Sequence, residues 1–183
     1  MGIPFYFYTL VKKYDNIIVP KIDFQPDIYC LDFNGVIHPV CASILQQKPK
    51  ATNTEIINGL YNKVKDDIAT IKPQKTIICI DGSVPLAKMI QQRKRRYLSV
   101  YRNKIDKTDV NWDTNCITPG TNFMNELNNN FRTKLRYSTE NISFSGSDEY
   151  GEGEQKIFKL LKTEKSNSSI VINGMDADLI ILS

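Results

Sequence analysis

Short apolar runs alternating with amphipathic segments predict an α/β protein with a largely parallel central sheet flanked by helices. Three observations carry this. Four runs rich in β-branched residues are too short for helices. The segments between them repeat apolar residues every three or four positions. No two runs are joined by a tight hairpin signal, so parallel crossovers are expected. The 183 residues suit one domain, and 41% hydrophobic content suits a globular core.

The expected strands are Ile28–Asp32 (IYCLD), 76–81 (TIICID), Ile142–Ser145 (ISFS) and 169–173 (SIVIN). The first helix, 52–70, opens with a Thr52-x-x-Glu55 capping box. Ile56, Leu60, Val64 and Ile68 then recur on one face, and Pro73 follows the stop. A second helix covers 86–104. A third, 120–136, carries Phe123, Leu127, Phe131 and Leu135 on one stripe, and a fourth starts near Glu152 with Ile157, Leu160 and Leu161. Residues 105–118 and 162–168 read as polar connections.

Composition excludes several classes. No run approaches the roughly 18 apolar residues of a membrane span. The start, MGIPFYFYTLVKKYD, has no basic leader region and no A-x-A cleavage site. Tyr6 stands where a myristoylation signal has Ser or Thr. Cys30, Cys41, Cys79 and Cys116 form no CxxC pair, which points to small buried fillers in a reducing intracellular compartment, cytoplasm or nucleus. The single histidine, His38, excludes a multi-histidine zinc site, so carboxylates must carry any metal chemistry.

Acidic residues sit just past the expected strand ends: Asp32, Asp81, Glu152 and Glu154 in GEGE, and Asp176 and Asp178 in GMDAD. Parallel α/β sheets place their binding crevice outside the carboxyl ends of the strands. Six carboxylates there repel one another unless cations neutralise them, and oxygen-only ligation suits Mg²⁺ or Mn²⁺. Two such ions about 4 Å apart are a standard device for phosphodiester hydrolysis. Residues two apart in a regular helix face away from each other. Glu152 and Glu154 can therefore share a target only at a loop-to-helix junction, where Gly151 and Gly153 free the backbone. Ordinary turn and N-cap roles are the bland alternative for each acid taken singly.

The helix over 86–104, LAKMIQQRKRRYLSVYRNK, places Lys88, Gln92, Arg95 and Arg96 on one face. Arginine forks and a glutamine amide suit a terminal phosphate. A solvated cationic face is the alternative. The helix leaves directly from Asp81-Gly82, beside the acidic crevice.

These motifs, in this order, resemble the N-terminal conserved region of the Xrn-type 5′→3′ exoribonucleases. MGIPFYF, LDFNGVIH, IDGSVPLAKMIQQRKRRY, ITPGTNFM, GEGEQKI and NGMDADLI are similar to successive family blocks, from the first residue to the last. The resemblance implies a PIN/flap-endonuclease-like fold, with 1–183 as the nuclease domain, incomplete at its C-terminus. It implies two Mg²⁺ ions per site, held by Asp32, Asp81, Glu152, Glu154, Asp176 and Asp178. It implies degradation of single-stranded RNA bearing a 5′ monophosphate, one nucleotide at a time, to nucleoside 5′-monophosphates. Lys88, Gln92, Arg95 and Arg96 would form the 5′-phosphate pocket, Lys88 also reaching the scissile phosphate. His38 would stack near the first nucleotides, Asn34 would order its loop, and Gly2 is a weaker candidate. Ser83-Val84 and Leu86 depart from the family's Val-Ala and Arg. A structure-specific DNA nuclease and a non-catalytic RNA-binding fragment are the alternatives. The terminal DADLIILS run has nothing after it to complete a helix or strand. The expectation is that the 183-residue chain folds its α/β core but binds the metals weakly and cuts slowly or not at all, and that downstream sequence raises both metal affinity and rate.

Overall fold

The structure, a computed structural model, describes residues 5–14, 16–105 and 112–183; the side chains of residues 99 and 102–104 are not described. Gly2 and residues 106–111 of the polar insert expected over 105–118 lie outside the described residues.

Strands β1 (Ile28–Asp32), β2 (Lys75–Cys79), β3 (Ile142–Ser145) and β4 (Ile170–Asn173) form one parallel sheet in the order β3-β2-β1-β4. The helices among the described residues are α1 (Tyr6–Lys13), α2 (Asn34–Gln47), α3 (Asn53–Ile71), α4 (Leu86–Ile105), α5 (Asn122–Arg136), α6 (Gly153–Leu161) and α7 (Asp178–Leu182). From β1 the chain moves outward to β2 and β3, then crosses back to set β4 on the other side of β1. The switch point therefore lies between β1 and β4, the place where open α/β sheets form crevices.

Both sheet faces are covered, which is why the central strands are apolar throughout rather than alternating. Leu31, Ile78 and Ile80 face α2, α3 and α5, packing with Ile37, Ile56, Leu60, Leu127 and Phe131. Their neighbours Cys30, Ile77 and Cys79 face the other way, against Ile157 of α6. The capping box forms as expected: Thr52 Oγ1 accepts from Glu55 N–H while the Glu55 carboxylate accepts from Thr52 N–H. Cys30, Cys41 and Cys79 are buried and Cys116 partly so, all as free thiols, with burial pushing each pKa up to about 12.

Three helices differ from expectation. α2 begins two residues after β1, where the sequence suggests a loop, and contains Pro39. Proline removes one helical hydrogen bond; burial of Val36, Ile37 and Cys41 outweighs that loss. α1 buries no residue. α7 is a single turn whose Leu179 is buried while Ile180, Ile181 and Leu182 stay exposed. The terminal run is thus helical, docked through one side chain. Among the described residues no helix is long and apolar enough to cross a membrane.

Candidate active site: an acidic crevice and a cationic cleft

Asp32 ends β1 and Asp81 lies two residues beyond the β2 ladder, whose last link is Ile80 N–H to Ser145 O at 2.9 Å. Gly153 N–H donates to Asp81 Oδ1 at 2.7 Å. A Cβ on Gly153 would stand 2.6 Å from Asp32 Oδ1 and 3.4 Å from Asp81 Oδ1. The second glycine of GEGE is therefore required by close approach of the α6 backbone to two carboxylates. Asn34 grips Asp81 reciprocally: its amide donates to Asp81 Oδ2 at 3.1 Å, and its carbonyl accepts from Asp81 N–H at 3.0 Å. That is the ordering role expected of Asn34.

Glu152 is the N-cap of α6 and is 6% exposed, while Glu154 falls in the first helical turn. Gly151, at φ 107°, makes the preceding turn. This is the loop-to-helix junction that the i, i+2 spacing demands. Asp178 N–H donates to Asp176 Oδ1 at 3.1 Å as α7 begins.

The acids sense one another. Burial first, then Asp81, with Asp176 and Glu152 adding, pushes the Asp32 pKa up to about 6. Burial, Glu152 and Asp176, with a contribution from Asp178, push Glu154 to about 7. Burial raises Asp81 as well, against the Gly153 hydrogen bond. Among the described residues no three of these side chains are arranged as a ready-made metal cage. Mutual repulsion favours that spread, and the Lys88 ammonium pairs with Glu152 at 2.5 Å. Asp32 Oδ1, however, is buried and has no hydrogen-bond partner among the described residues. An orphaned anionic oxygen amid oxygen donors fits a hard divalent cation.

Sequence reasoning missed Lys156. It is 6% exposed, and its ammonium donates to Ile80 O at 2.8 Å and Gly146 O at 2.7 Å. It thereby fastens the ends of β2 and β3 beneath Asp81. Its position one turn before Leu160, on the buried stripe of α6, was the available signal. The loop that leads from Asp81 into α4 is also fastened: Gly82 N–H donates to Gly151 O, and Gly151 N–H donates to Ser83 O, both at 2.9 Å.

Next to the acids opens a cleft of about 470 Å³. Asn34 and His38, one turn apart on α2, line one side with Asp81; Gln92, Arg95 and Arg96 of α4 line another. Partial desolvation, then the Arg95 charge, lower the His38 pKa. Among the described residues no carboxylate lies within ion-pair range of Arg95 or Arg96. Lys88, expected in the same pocket, is not among the lining residues and sits with the acids instead. A third wall comes from 114–119, where Arg96 Nη1 donates to Thr118 Oγ1 at 3.3 Å.

A parallel sheet flanked by helices, with acids at its carboxyl edge and arginines unpaired among the described residues beside them, defines an α/β protein of the PIN-like nuclease class. Comparison with known proteins makes this specific. The chain belongs to the family described as "XRN 5'-3' exonuclease N-terminus", which matches residues 1–183. It is 33% identical over 215 residues to 5'-3' exoribonuclease 1 of Schizosaccharomyces pombe, 30% identical over 244 residues to 5'-3' exoribonuclease 2 of Kluyveromyces lactis, and 31% identical over 217 residues to human 5'-3' exoribonuclease 1. Each match covers 100% of this chain but only 16%, 24% and 12% of the respective relative.

Proposed function

We propose that this chain is the N-terminal catalytic portion of an intracellular 5′→3′ exoribonuclease that acts on single-stranded RNA with a 5′ monophosphate and releases nucleoside 5′-monophosphates. The observation that carries this is the shared position of Asp81: it belongs to the acidic crevice and also lines the cleft that holds Gln92, Arg95 and Arg96. A terminal phosphate held by those three side chains delivers the adjoining phosphodiester to the acids.

Asp32, Asp81, Glu152, Glu154, Asp176 and Asp178 would hold Mg²⁺, with Mn²⁺ as a substitute. Two ions there would lower the pKa of a water to make the nucleophile and neutralise the leaving oxygen. The chain's own residues do the rest. Gly153 N–H and Asn34 hold Asp81 in one orientation. Lys88 keeps Glu152 paired until substrate arrives and can then turn to the scissile phosphate. His38 faces the first nucleotides and offers its ring for stacking.

The test is parallel digestion of 5′-monophosphate RNA, 5′-hydroxyl RNA and 5′-flap DNA with Mg²⁺, by this chain and by a longer form. Preferential release of mononucleotides from the first substrate is expected. Preference for flap DNA would instead establish the DNA-nuclease reading.

A further inference from the structure

Ile117, Thr118 and Pro119, of the ITPGT segment 117–121, form a wall of the cationic cleft to which the proposed function gives no task. We propose that Thr118 is the positioning residue for Arg96, setting its guanidinium for the substrate's terminal phosphate; this rests on reading the cleft as a 5′-phosphate pocket.

The turn is hydrogen-bonded without help from the Thr118 hydroxyl. Thr121 caps α5 by accepting from Met124 N–H, and its hydroxyl lies 2.5 Å from Cys116 O and 2.9 Å from Thr118 O. Thr121 N–H also bonds Thr118 O at 3.2 Å, and Gly120 takes φ 86° to close the turn. Phe123, Met124 and Leu127 then anchor α5 in the core. The Thr118 hydroxyl is left over, and among the described residues its bond is to Arg96 Nη1.

A neutral acceptor is what this place requires. An arginine side chain has much rotamer freedom to lose when it is fixed. A carboxylate brace would fix it but would cancel the charge meant for phosphate. A hydroxyl fixes the fork while leaving its positive potential intact. Because no other bond engages the guanidinium among the described residues, the brace and the phosphate can be held together.

The experiment measures equilibrium binding, by fluorescence anisotropy, of a short single-stranded oligoribonucleotide with either a 5′ monophosphate or a 5′ hydroxyl. The proteins are the full chain and its Thr118→Val, Thr118→Ser, Arg96→Ala and Arg96→Ala/Thr118→Val variants. Valine keeps the shape and removes the hydroxyl. Thr118→Val is expected to weaken the 5′-monophosphate oligonucleotide about threefold to tenfold, leave the 5′-hydroxyl one unchanged, and have no further effect once Arg96 is alanine. Thr118→Ser should bind like the parent chain. Equal losses on both oligonucleotides, the same loss with and without Arg96, or no loss at all would overturn the assignment while leaving the pocket reading intact, provided Arg96→Ala itself discriminates. If Arg96→Ala does not discriminate, the pocket reading falls and the role of Thr118 falls with it.

Discussion

Asp81 is gripped at both carboxylate oxygens, by Gly153 N–H on one and the Asn34 amide on the other. Replacing it with asparagine keeps the size and one acceptor but removes a charge from a crowded acidic site. Asp81→Asn should therefore abolish Mg²⁺-dependent nucleotide release while the melting temperature holds or rises, because repulsion is relieved. Undiminished turnover would remove Asp81 from the metal site. Arg95 carries a different kind of prediction, since no carboxylate among the described residues lies within ion-pair range of it. A charge-assisted contact to phosphate contributes roughly 1.5–3 kcal/mol, or about ten- to a hundredfold. Arg95→Ala should thus weaken 5′-monophosphate RNA by that factor and leave 5′-hydroxyl RNA nearly unchanged; equal losses would indicate a general backbone contact. At this scale much was legible from residue type and spacing. Spacing brings Gln92, Arg95 and Arg96 to one cleft, and the acids near enough to shift one another's titration. Lys88 pairs with Glu152 rather than lining that cleft, because helical periodicity assigns a face and cannot show which end of that face meets the acids.

The element that fixes the site is α6, entered through the GEGE turn and fastened from behind by Lys156. A buried ammonium that satisfies two strand-end carbonyls is costly to remove, since both acceptors lose their donor. Lys156→Met should cost about 2 kcal/mol, seen as a melting temperature lower by about 4–8 °C, and should weaken Mg²⁺ binding through Asp81. A melt superimposable on that of the parent chain would show the lysine to be dispensable. Elements announced by local chemistry were readable: the capping box located α3 to within one residue, and two of the four strands have the bounds that their composition suggests. The helices that sequence reasoning missed owe their existence to something nonlocal. α2 overrides Pro39 by burying Ile37 and Cys41, and α7 relies on one docked leucine that reaches back over Gly174. No propensity or period within those segments encodes that support.

For the whole molecule, the acidic crevice sets a pH dependence of stability. Asp32 and Glu154 have folded pKa values near 6 and 7, above those of ordinary carboxylates, so at these two sites the folded state binds more protons than the unfolded chain between pH 4 and 7. Their contribution to stability falls as pH rises through that window and adds no further slope above it, while the lowered His38 pKa acts in the opposite sense. Without divalent cations the melting temperature should therefore decline from pH 4 to 7 relative to that of an Asp32→Asn/Glu154→Gln variant, and saturating Mg²⁺ should flatten or reverse that difference. Parallel pH profiles of the two proteins without metal would contradict the crowding of the acids. The parallel sheet and its covered faces were legible in the strand runs themselves. The strand order was not, because register and crossover direction are set by packing across the chain.

The loop between Asp81 and α4 has a consequence of its own. It is laced to Gly151 by hydrogen bonds in both directions, and the helix it feeds carries Gln92, Arg95 and Arg96. Asp81 and the three side chains proposed to hold a terminal phosphate therefore hang from one strand by a short tether pinned to Gly151. Such a tether is a gauge. Under the proposed function it would convert the separation between capture and cutting into a covalent constant, and the stride along RNA would be written into the length of a four-residue spacer, 82–85, rather than into any recognition of the base.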